Sequence, residues 1–200
     1  MSKKIIFYGD SNTYGFDPRG FFGGRYDRGI IWTDRIGNNP EYDVCPCGEN
    51  GRQIPHTASA FDALDRILKR NAPFDLFSVM LGTNDLFMMY EADGEKICGR
   101  MEQLLKFVLS HDTVTDSTKV LLVSPPGINL RENEYEMNFS RISYELGAHY
   151  MKLADRLGVY FADAAGWKID TAYDGVHFSE RGHAEFAVCM ERLLGDIFAG

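Results

Sequence analysis

Short apolar segments alternate with longer amphipathic segments along the chain. Five runs rich in Ile, Val, Phe and Leu are almost continuously apolar, as expected for strands buried on both faces of a sheet: KIIFYG (4–9), YDVCP (42–46), DLFSVMLG (75–82), KVLLVSP (119–125) and VYFADA (159–164). Four other segments place apolar residues at helical spacing: 59–71, 98–110, 135–157 and 180–198. Strands that alternate with helices predict an α/β fold, a three-layer α/β/α sandwich around a mostly parallel sheet.

Polar and glycine residues follow three of these strands. Asp10 and Ser11 come after the first strand, Gly48 and Gly51 after the second, and Asn84 after the third. In an open α/β sheet, ligands bind beyond the carboxyl ends of the strands, near the point where the strand order reverses. We therefore expect these residues to share one edge of the sheet, and that edge to carry the functional site.

A serine at such an edge becomes a nucleophile when a base lies within hydrogen-bond reach. Four of the five histidines fit surface or structural roles better than catalysis: His56, His111, His149 and His183. His177 is different, because it lies three residues after Asp174 in the connection before the last helix. That spacing lets the carboxylate orient the imidazole toward a nucleophile. The same residues also fit a plain turn followed by a helix N-cap.

An acyl-transfer serine also needs hydrogen-bond donors for the oxyanion of the tetrahedral intermediate. Three candidates are the backbone N–H of Ser11, the N–H of a loop glycine after the second strand, and the side-chain amide of Asn84. Each has a simpler alternative. Ser11 would also suit a helix N-cap or a phosphate cradle, and Asn84 would suit an Asx-turn after a strand.

Four blocks that hold these residues, YGDSNTYG, CGENGRQ, LGTND and DGVHF, resemble those of the SGNH, or GDSL-type, hydrolase superfamily and occur in the family's order over residues 8–178. The chain is most similar to the bacterial arylesterase and acyltransferase branch. This resemblance implies a flavodoxin-like five-stranded parallel sheet in the order 2-1-3-4-5. It also implies a Ser-His-Asp triad, small acyl esters as substrates, no metal or other cofactor, and homo-oligomers.

The resemblance assigns a role to each matching residue. Ser11 becomes the nucleophile and first oxyanion donor, His177 the base and Asp174 its partner. Gly51 and Asn84 become the other two oxyanion donors.

Two features depart from the family pattern. Asn12 stands where the family usually has Leu, which we expect to alter local packing and not the chemistry. CGENGRQ matches its block least well, so Gly48 remains an alternative to Gly51 as the oxyanion glycine.

Candidate substrate-binding residues lie beside these blocks: Asp10, Asn12, Trp32 and Arg52. Trp32, in a helix predicted to begin near Gly29, fits core packing better than substrate contact, because tryptophan is strongly buried on average. Arg52 would either orient a substrate or pair with an acid such as Asp85. Met88, Met89 and Tyr90 would line an apolar acyl pocket or belong to a helix core. The aromatic loop 10–29, with Phe16, Phe21, Phe22 and Tyr26, is predicted to form a packed pocket wall.

Composition narrows the partners and the class. Two hundred residues with 44% hydrophobic content suit a single domain over residues 1–200. The 29 acids against 21 bases disfavour nucleic-acid and anionic-membrane partners. The N-terminus lacks the features of a signal peptide, and no segment reaches the roughly 18 apolar residues of a membrane span, so we expect a cytoplasmic protein. The four cysteines, at 45, 47, 98 and 189, lack metal or redox spacing.

The sequence therefore predicts a serine esterase that hydrolyses, and can transacylate, short-chain acyl esters through an acyl-enzyme. A carbohydrate-ester deacetylase would use the same residues. An alternative from another class is a flavodoxin-like module that binds FMN or a phosphate at the SNT turn, but such a module has no use for Asp174 and His177.

Overall fold

A computed structural model describes residues 2–20, 23–89 and 93–199. The elements in chain order are β1 (Lys3–Gly9), α1 (Ser11–Tyr14), β2 (Phe16–Asp17), β3 (Gly24–Arg25), α2 (Trp32–Gly37), β4 (Tyr42–Gly48), α3 (Ala58–Asn71), β5 (Leu76–Met80), α4 (Thr83–Met88), α5 (Gly94–Leu109), β6 (Lys119–Ser124), α6 (Glu134–Leu157), β7 (Tyr160–Asp163), a 3₁₀ helix (Ala164–Trp167) and α7 (Glu180–Ala199). β2 and β3 form a small antiparallel hairpin.

The five long strands form one parallel sheet in the order β4-β1-β5-β6-β7. Counted along the chain among those five strands, this order is 2-1-3-4-5, so the expected topology is confirmed. The order reverses at β1, which pairs with β4 on one side and β5 on the other. The connections from β1 and its neighbours therefore part at their carboxyl ends and leave a crevice there.

Apolar layers cover both faces of the sheet, which confirms the three-layer sandwich. On one face α3, α5 and α6 contribute Leu64, Leu68, Met101, Leu104 and Leu146. On the other face α2 and α7 contribute Trp32, Ile36, Phe186, Met190 and Leu194. The three central strands, β1, β5 and β6, are largely buried on both sides, which explains their nearly continuous apolar sequences. The edge strands β4 and β7 are mostly partly or fully exposed, so the expectation of burial on both faces is wrong for these two.

Two helices begin at residues other than the predicted ones, and a side-chain cap explains the difference for α5. α5 begins four residues before the predicted start, because the Asp93 carboxylate accepts hydrogen bonds from the N–H groups of Glu95 and Lys96. α2 begins at Trp32 and not near Gly29. The short helices α1 and α4 were not predicted, because four and six residues are too few to show helical periodicity.

Among the described residues, no helix combines the length and apolar character that a membrane-spanning segment needs. All four cysteines are free thiols.

Candidate active site

The chain turns sharply where β1 ends. Asp10 caps the four-residue helix α1 by accepting a hydrogen bond from the N–H of Asn12 at 3.0 Å. A Cβ atom on Gly9 would lie 2.1 Å from Oγ1 of Thr13, so only glycine lets the helix fold back this closely on the strand end. Ser11 is the first helical residue, and it lies at the carboxyl edge of the sheet.

A second tight turn carries the histidine. Oδ1 of Asp174 accepts hydrogen bonds from the backbone N–H groups of Val176 and His177, both at 3.0 Å. Gly175 has φ +67°, in the left-handed region that favours glycine, and its N–H donates to the carbonyl of Ala172. This Asx-type turn holds the Asp174 carboxylate beside the imidazole of its own loop.

The two turns meet. Oδ2 of Asp174 lies 2.6 Å from Nδ1 of His177, and Nε2 of His177 lies 3.0 Å from Oγ of Ser11. Burial raises the pKa of Asp174, but hydrogen bonds from the imidazole and two backbone N–H groups outweigh it and hold the pKa below its ordinary value. An ionised Asp174 favours the tautomer in which Nε2 of His177 is unprotonated. Nε2 can therefore accept the hydroxyl proton of Ser11.

The glycine and the asparagine expected as oxyanion donors share a cleft beside the serine turn. Gly51 has φ +74° and no atom within 4 Å of where a Cβ would stand. Nδ2 of Asn84 donates to the carbonyl of Arg52 at 3.0 Å, which orients the amide and leaves its second hydrogen available.

Gly48 serves a different purpose from Gly51. It ends β4 opposite Gly9, and a Cβ there would lie 2.1 Å from the backbone nitrogen of Tyr14. Gly48 is therefore required for close packing of β4 on α1, and the choice between Gly51 and Gly48 as the oxyanion glycine stays a prediction.

Arg52 joins the ends of β1 and β4. Nη1 donates to the carbonyl oxygens of Gly9, at 2.8 Å, and Cys47. Nη2 donates to Glu49 at 2.6 Å, and the guanidinium lies 4.3 Å from the ring centre of Tyr8. Because of these bonds, Arg52 anchors the loop that carries Gly51. Arg52 also lines the cleft.

The alternative in which Arg52 pairs with an acid is confirmed, but the acid is Glu49 and not Asp85. Asp85 is fully buried, where Oδ1 accepts from Arg100 at 2.9 Å and Oδ2 accepts from the N–H of Ile54 at 3.0 Å. Asp85 and Asn84 therefore hold the 52–54 segment from the side of α4, a role that the sequence pattern did not reveal.

Neither Trp32 nor Asn12 lines the cleft, contrary to their selection as substrate-binding candidates, and the core packing favoured for Trp32 is confirmed. Trp32 is 2% exposed, packs against Phe7 and Phe186, and donates its indole N–H to the carbonyl of Asn12 at 2.9 Å. Asn12 is 6% exposed, and its side chain bonds to the loop of His177. Both residues support the site from the side of the core.

Asp10 is buried beneath the nucleophile turn and does not line the cleft either. Burial raises its pKa to about 6, although the N–H of Asn12 and the charges of His177 and Arg52 act in the opposite direction. Asp10 is therefore a cap of α1 that can carry a proton in mildly acidic solution.

The remaining histidines lie outside the Ser11–His177 line. His56 lines the cleft and bonds to the carbonyl of Ile54, while His111 bonds to Asp65. His149 is half-buried in α6. His183 is fully buried: its Nδ1 accepts the N–H of Trp32 at 3.4 Å, and its Nε2 has no hydrogen-bond partner among the described residues. The expectation that His183 is a surface or hydrogen-bonded residue therefore holds only for Nδ1.

The cleft beside Gly51 and Asn84 has a volume of about 610 Å³ and a mixed lining. Its apolar part includes Ile54, Pro55, Phe87 and Met88, and its polar part includes Glu49, Gln53 and His56. Met88 is 74% exposed at the rim, whereas Met89 packs against the core. Tyr90, the third residue expected there, lies outside the described residues.

The loop after α1 is packed, as predicted, but its described residues form a wall beside the histidine turn and do not line the cleft. The ring of Phe16 lies 4.6 Å from the imidazole of His177, and the hydroxyl of Tyr26 donates to the carbonyl of Phe178 at 3.3 Å. Phe21 and Phe22 lie outside the described residues. This wall covers one side of His177 and keeps its ring in place.

Comparisons with known proteins identify the family and support the fold. The sequence matches the GDSL-like Lipase/Acylhydrolase family over residues 7–185. The native aryl esterase of M. smegmatis is 25% identical, with a TM-score of 0.85 over 98% of this chain and 99% of that one. A carbohydrate acetylesterase family member from Sinorhizobium meliloti is 27% identical, with a TM-score of 0.83 over 96% and 97%. No curated protein matches the sequence.

Proposed function

Because the chain belongs to the GDSL-like lipase/acylhydrolase family, we propose that it hydrolyses short-chain acyl esters through an acyl-enzyme formed on Ser11. Family membership makes the chain a carboxylic ester hydrolase. The observation that carries the finer proposal is the hydrogen-bonded line from Asp174 through His177 to Ser11. The same line argues against a phosphate- or FMN-binding module, because His177 faces the serine.

The proposed reaction has two steps. Oγ of Ser11 attacks the ester carbonyl carbon while its proton passes to Nε2 of His177, and Asp174 stabilises the imidazolium. The oxyanion accepts hydrogen bonds from the N–H groups of Ser11 and Gly51 and from the amide of Asn84. The intermediate collapses, the leaving alcohol takes the proton from His177, and the acyl group stays on Ser11. Water then attacks the acyl carbon and gives a proton to His177; the bond to Oγ of Ser11 breaks, Ser11 regains the proton, and the carboxylic acid is released.

The cleft suggests two classes of ester. Its apolar residues, Ile54, Phe87 and Met88, suit a short acyl chain or an aryl leaving group. Its polar residues, Glu49, Gln53 and His56, would hydrogen-bond the hydroxyl groups of a sugar, which favours carbohydrate-ester deacetylation as the second candidate. An alcohol that replaces water in the second step would give transacylation.

The test is hydrolysis of p-nitrophenyl acetate, butyrate and octanoate by the wild type and by Ser11→Ala without added metal. We expect acetate and butyrate to be hydrolysed by the wild type and not by the variant, with octanoate slower if the cleft limits chain length. Acetylated xylo-oligosaccharides and cellobiose octaacetate then separate the two ester classes. Equal rates for the wild type and Ser11→Ala would refute the serine mechanism.

A further inference from the structure

The side chain of Asn12 bridges the two turns of the site. Its Oδ1 accepts the backbone N–H of Phe178 at 2.8 Å, and its Nδ2 donates to the carbonyl of Val176 at 3.2 Å. Val176 and Phe178 are the residues on either side of His177, more than 160 positions away along the chain. Asn12 directly follows Ser11, so one side chain connects the nucleophile turn with the backbone around the base.

The bridge requires an asparagine in one orientation. The carbonyl oxygen of its amide faces an N–H donor and its nitrogen faces a carbonyl acceptor, so a flipped amide would lose both bonds. Leu, which the family usually has here, would make neither bond. Burial shields the bond to Phe178 from competing water, and the bond to Val176 is partly buried.

The backbone of Asn12 is held as firmly as its side chain. Its N–H donates to Asp10 at 3.0 Å, and its carbonyl accepts the indole N–H of Trp32 at 2.9 Å. The bridge therefore starts from a fixed point in α1 and ends on the loop that carries His177.

The bond between Asp174 and His177 cannot replace this bridge. Both partners lie in one loop, three residues apart, so their bond orients the imidazole within the loop. It does not determine how far the loop stands from Ser11. That distance depends on contacts between the two turns, and Asn12 supplies two hydrogen bonds there.

We propose that Asn12 is a positioning residue that holds Nε2 of His177 within hydrogen-bond distance of Oγ of Ser11. The inference rests on the proposed esterase function. Loss of the bridge lets the His177 loop move as a unit away from the serine, while the Asp174–His177 pair and the cleft stay intact.

The variants Asn12→Ser and Asn12→Leu test this role, because a serine side chain is too short to bond both backbone groups and leucine cannot bond either. A displacement of about 1 Å costs about 10²-fold in rate. We therefore expect kcat for p-nitrophenyl acetate to fall by about 10²-fold with KM unchanged. The low-field proton resonance of the Asp174–His177 bond should remain, which a general loss of structure would not allow.

Asp75→Ala is the matched control. The Asp75 carboxylate also accepts a backbone N–H on β1, that of Lys4 at 2.8 Å, but at the opposite end of the strand from Ser11. The substitution Asp75→Ala should lower thermal stability and leave kcat unchanged. If Asn12→Leu does not fold, Asn12→Ser is the smaller change and still removes the bridge.

A fluorophosphonate that labels activated serines separates the failure of this proposal from that of the esterase function. Wild-type labelling without ester hydrolysis would reject the proposed substrates, and the labelling rates of the variants would still test the bridge. No labelling of the wild type would overturn both proposals. A variant with wild-type kcat and labelling rate, or with raised KM and unchanged kcat, would overturn the bridge alone.

Discussion

The residues of the candidate site have different electrostatic surroundings. Asp174 is partly exposed and accepts three hydrogen bonds, so its pKa is lowered and it stays ionised beside His177. Asp10 is buried, and that burial raises its pKa to about 6 despite the hydrogen bond from the N–H of Asn12. Two carboxylates beside one serine turn thus differ in charge in mildly acidic solution, and of the two Asp174 is the one that bonds to His177.

At this scale Asn84→Ala tests the oxyanion assignment. Removal of one oxyanion donor from a preorganised site costs about 10²- to 10³-fold in kcat. We expect that loss with little change in KM, because the ground-state ester does not yet carry the negative charge that the amide stabilises. The measurement is steady-state hydrolysis of p-nitrophenyl acetate.

Asn71→Ala is the control for this change. Nδ2 of Asn71 also donates to a backbone carbonyl, that of Ile67 at 2.8 Å, but at the far end of α3. If kcat is unchanged in Asn84→Ala and Ser11→Ala is inactive, the assignment of Asn84 as an oxyanion donor is wrong. The assignment of Ser11 as the nucleophile would then still stand.

At the scale of elements, the site depends on how closely short elements approach the strand ends. α1 spans four residues and lies against the ends of β1 and β4, where Gly9 and Gly48 leave room for its backbone. The 51–54 segment has no regular structure, and it is held by Arg52 from the strands and by Asn84 and Asp85 from α4. Ser11 and the 51–54 segment are therefore positioned by tight packing and by side-chain anchors.

Two glycine substitutions distinguish steric packing from backbone strain. In Gly48→Ala the new Cβ meets backbone atoms of Thr13 and Tyr14, which cannot move aside, so we expect a loss of about 3 kcal/mol in the free energy of unfolding. In Gly51→Ala the Cβ meets open space and only the positive φ is strained, at a cost of about 1 kcal/mol. Urea unfolding measures both values. Equal losses would show that β4 does not need this close approach to α1.

At the scale of the whole molecule, the reversal of strand order at β1 brings the separate segments together. Ser11 follows β1. Gly51 follows β4 and Asn84 follows β5, and these two strands are the neighbours of β1 in the sheet. His177 precedes α7, which packs on α2, and it reaches the same edge from the other end of the chain. Stability and site geometry are therefore coupled through one sheet edge.

The pH dependence of unfolding reports the buried carboxylate there. The pKa of Asp10 is about 6 in the folded protein against an ordinary value of 3.8, so between these pH values the folded state binds the extra proton. Its contribution to the free energy of unfolding therefore falls as pH rises through this window. Burial of His183 lowers its pKa from 6.5 to about 4, and this acts with the opposite sign.

Asp10→Asn isolates the carboxylate, because asparagine can still cap α1 and His183 is present in both proteins. We expect the variant to gain stability over the wild type as pH rises from 4 to 7, up to about 3 kcal/mol for a pKa difference of about two units. Urea unfolding at several pH values measures the difference. A difference that stays constant with pH would contradict the raised pKa.

Much of the fold and part of the site could be predicted from the sequence by itself. Apolar runs and helical spacing are local properties, so they predicted five strands and the long helices. They also predicted the edge of the sheet at which the carboxyl ends of the strands lie. Asp174 and His177 lie in one turn, so their spacing was enough to predict their contact. Ser11 was predicted as the candidate nucleophile from its place at a strand end and from its motif.

Only the tertiary structure decided the contacts between distant segments. It joined the indole N–H of Trp32 to the carbonyl of Asn12 and turned the side chain of Asn12 toward the His177 loop. It also gave Asp85 to Arg100, and it separated the steric role of Gly48 from the open position of Gly51. The physical reason is common to all four: each depends on which backbone or charge lies opposite a side chain, and that is determined by how layers pack and not by local residue patterns.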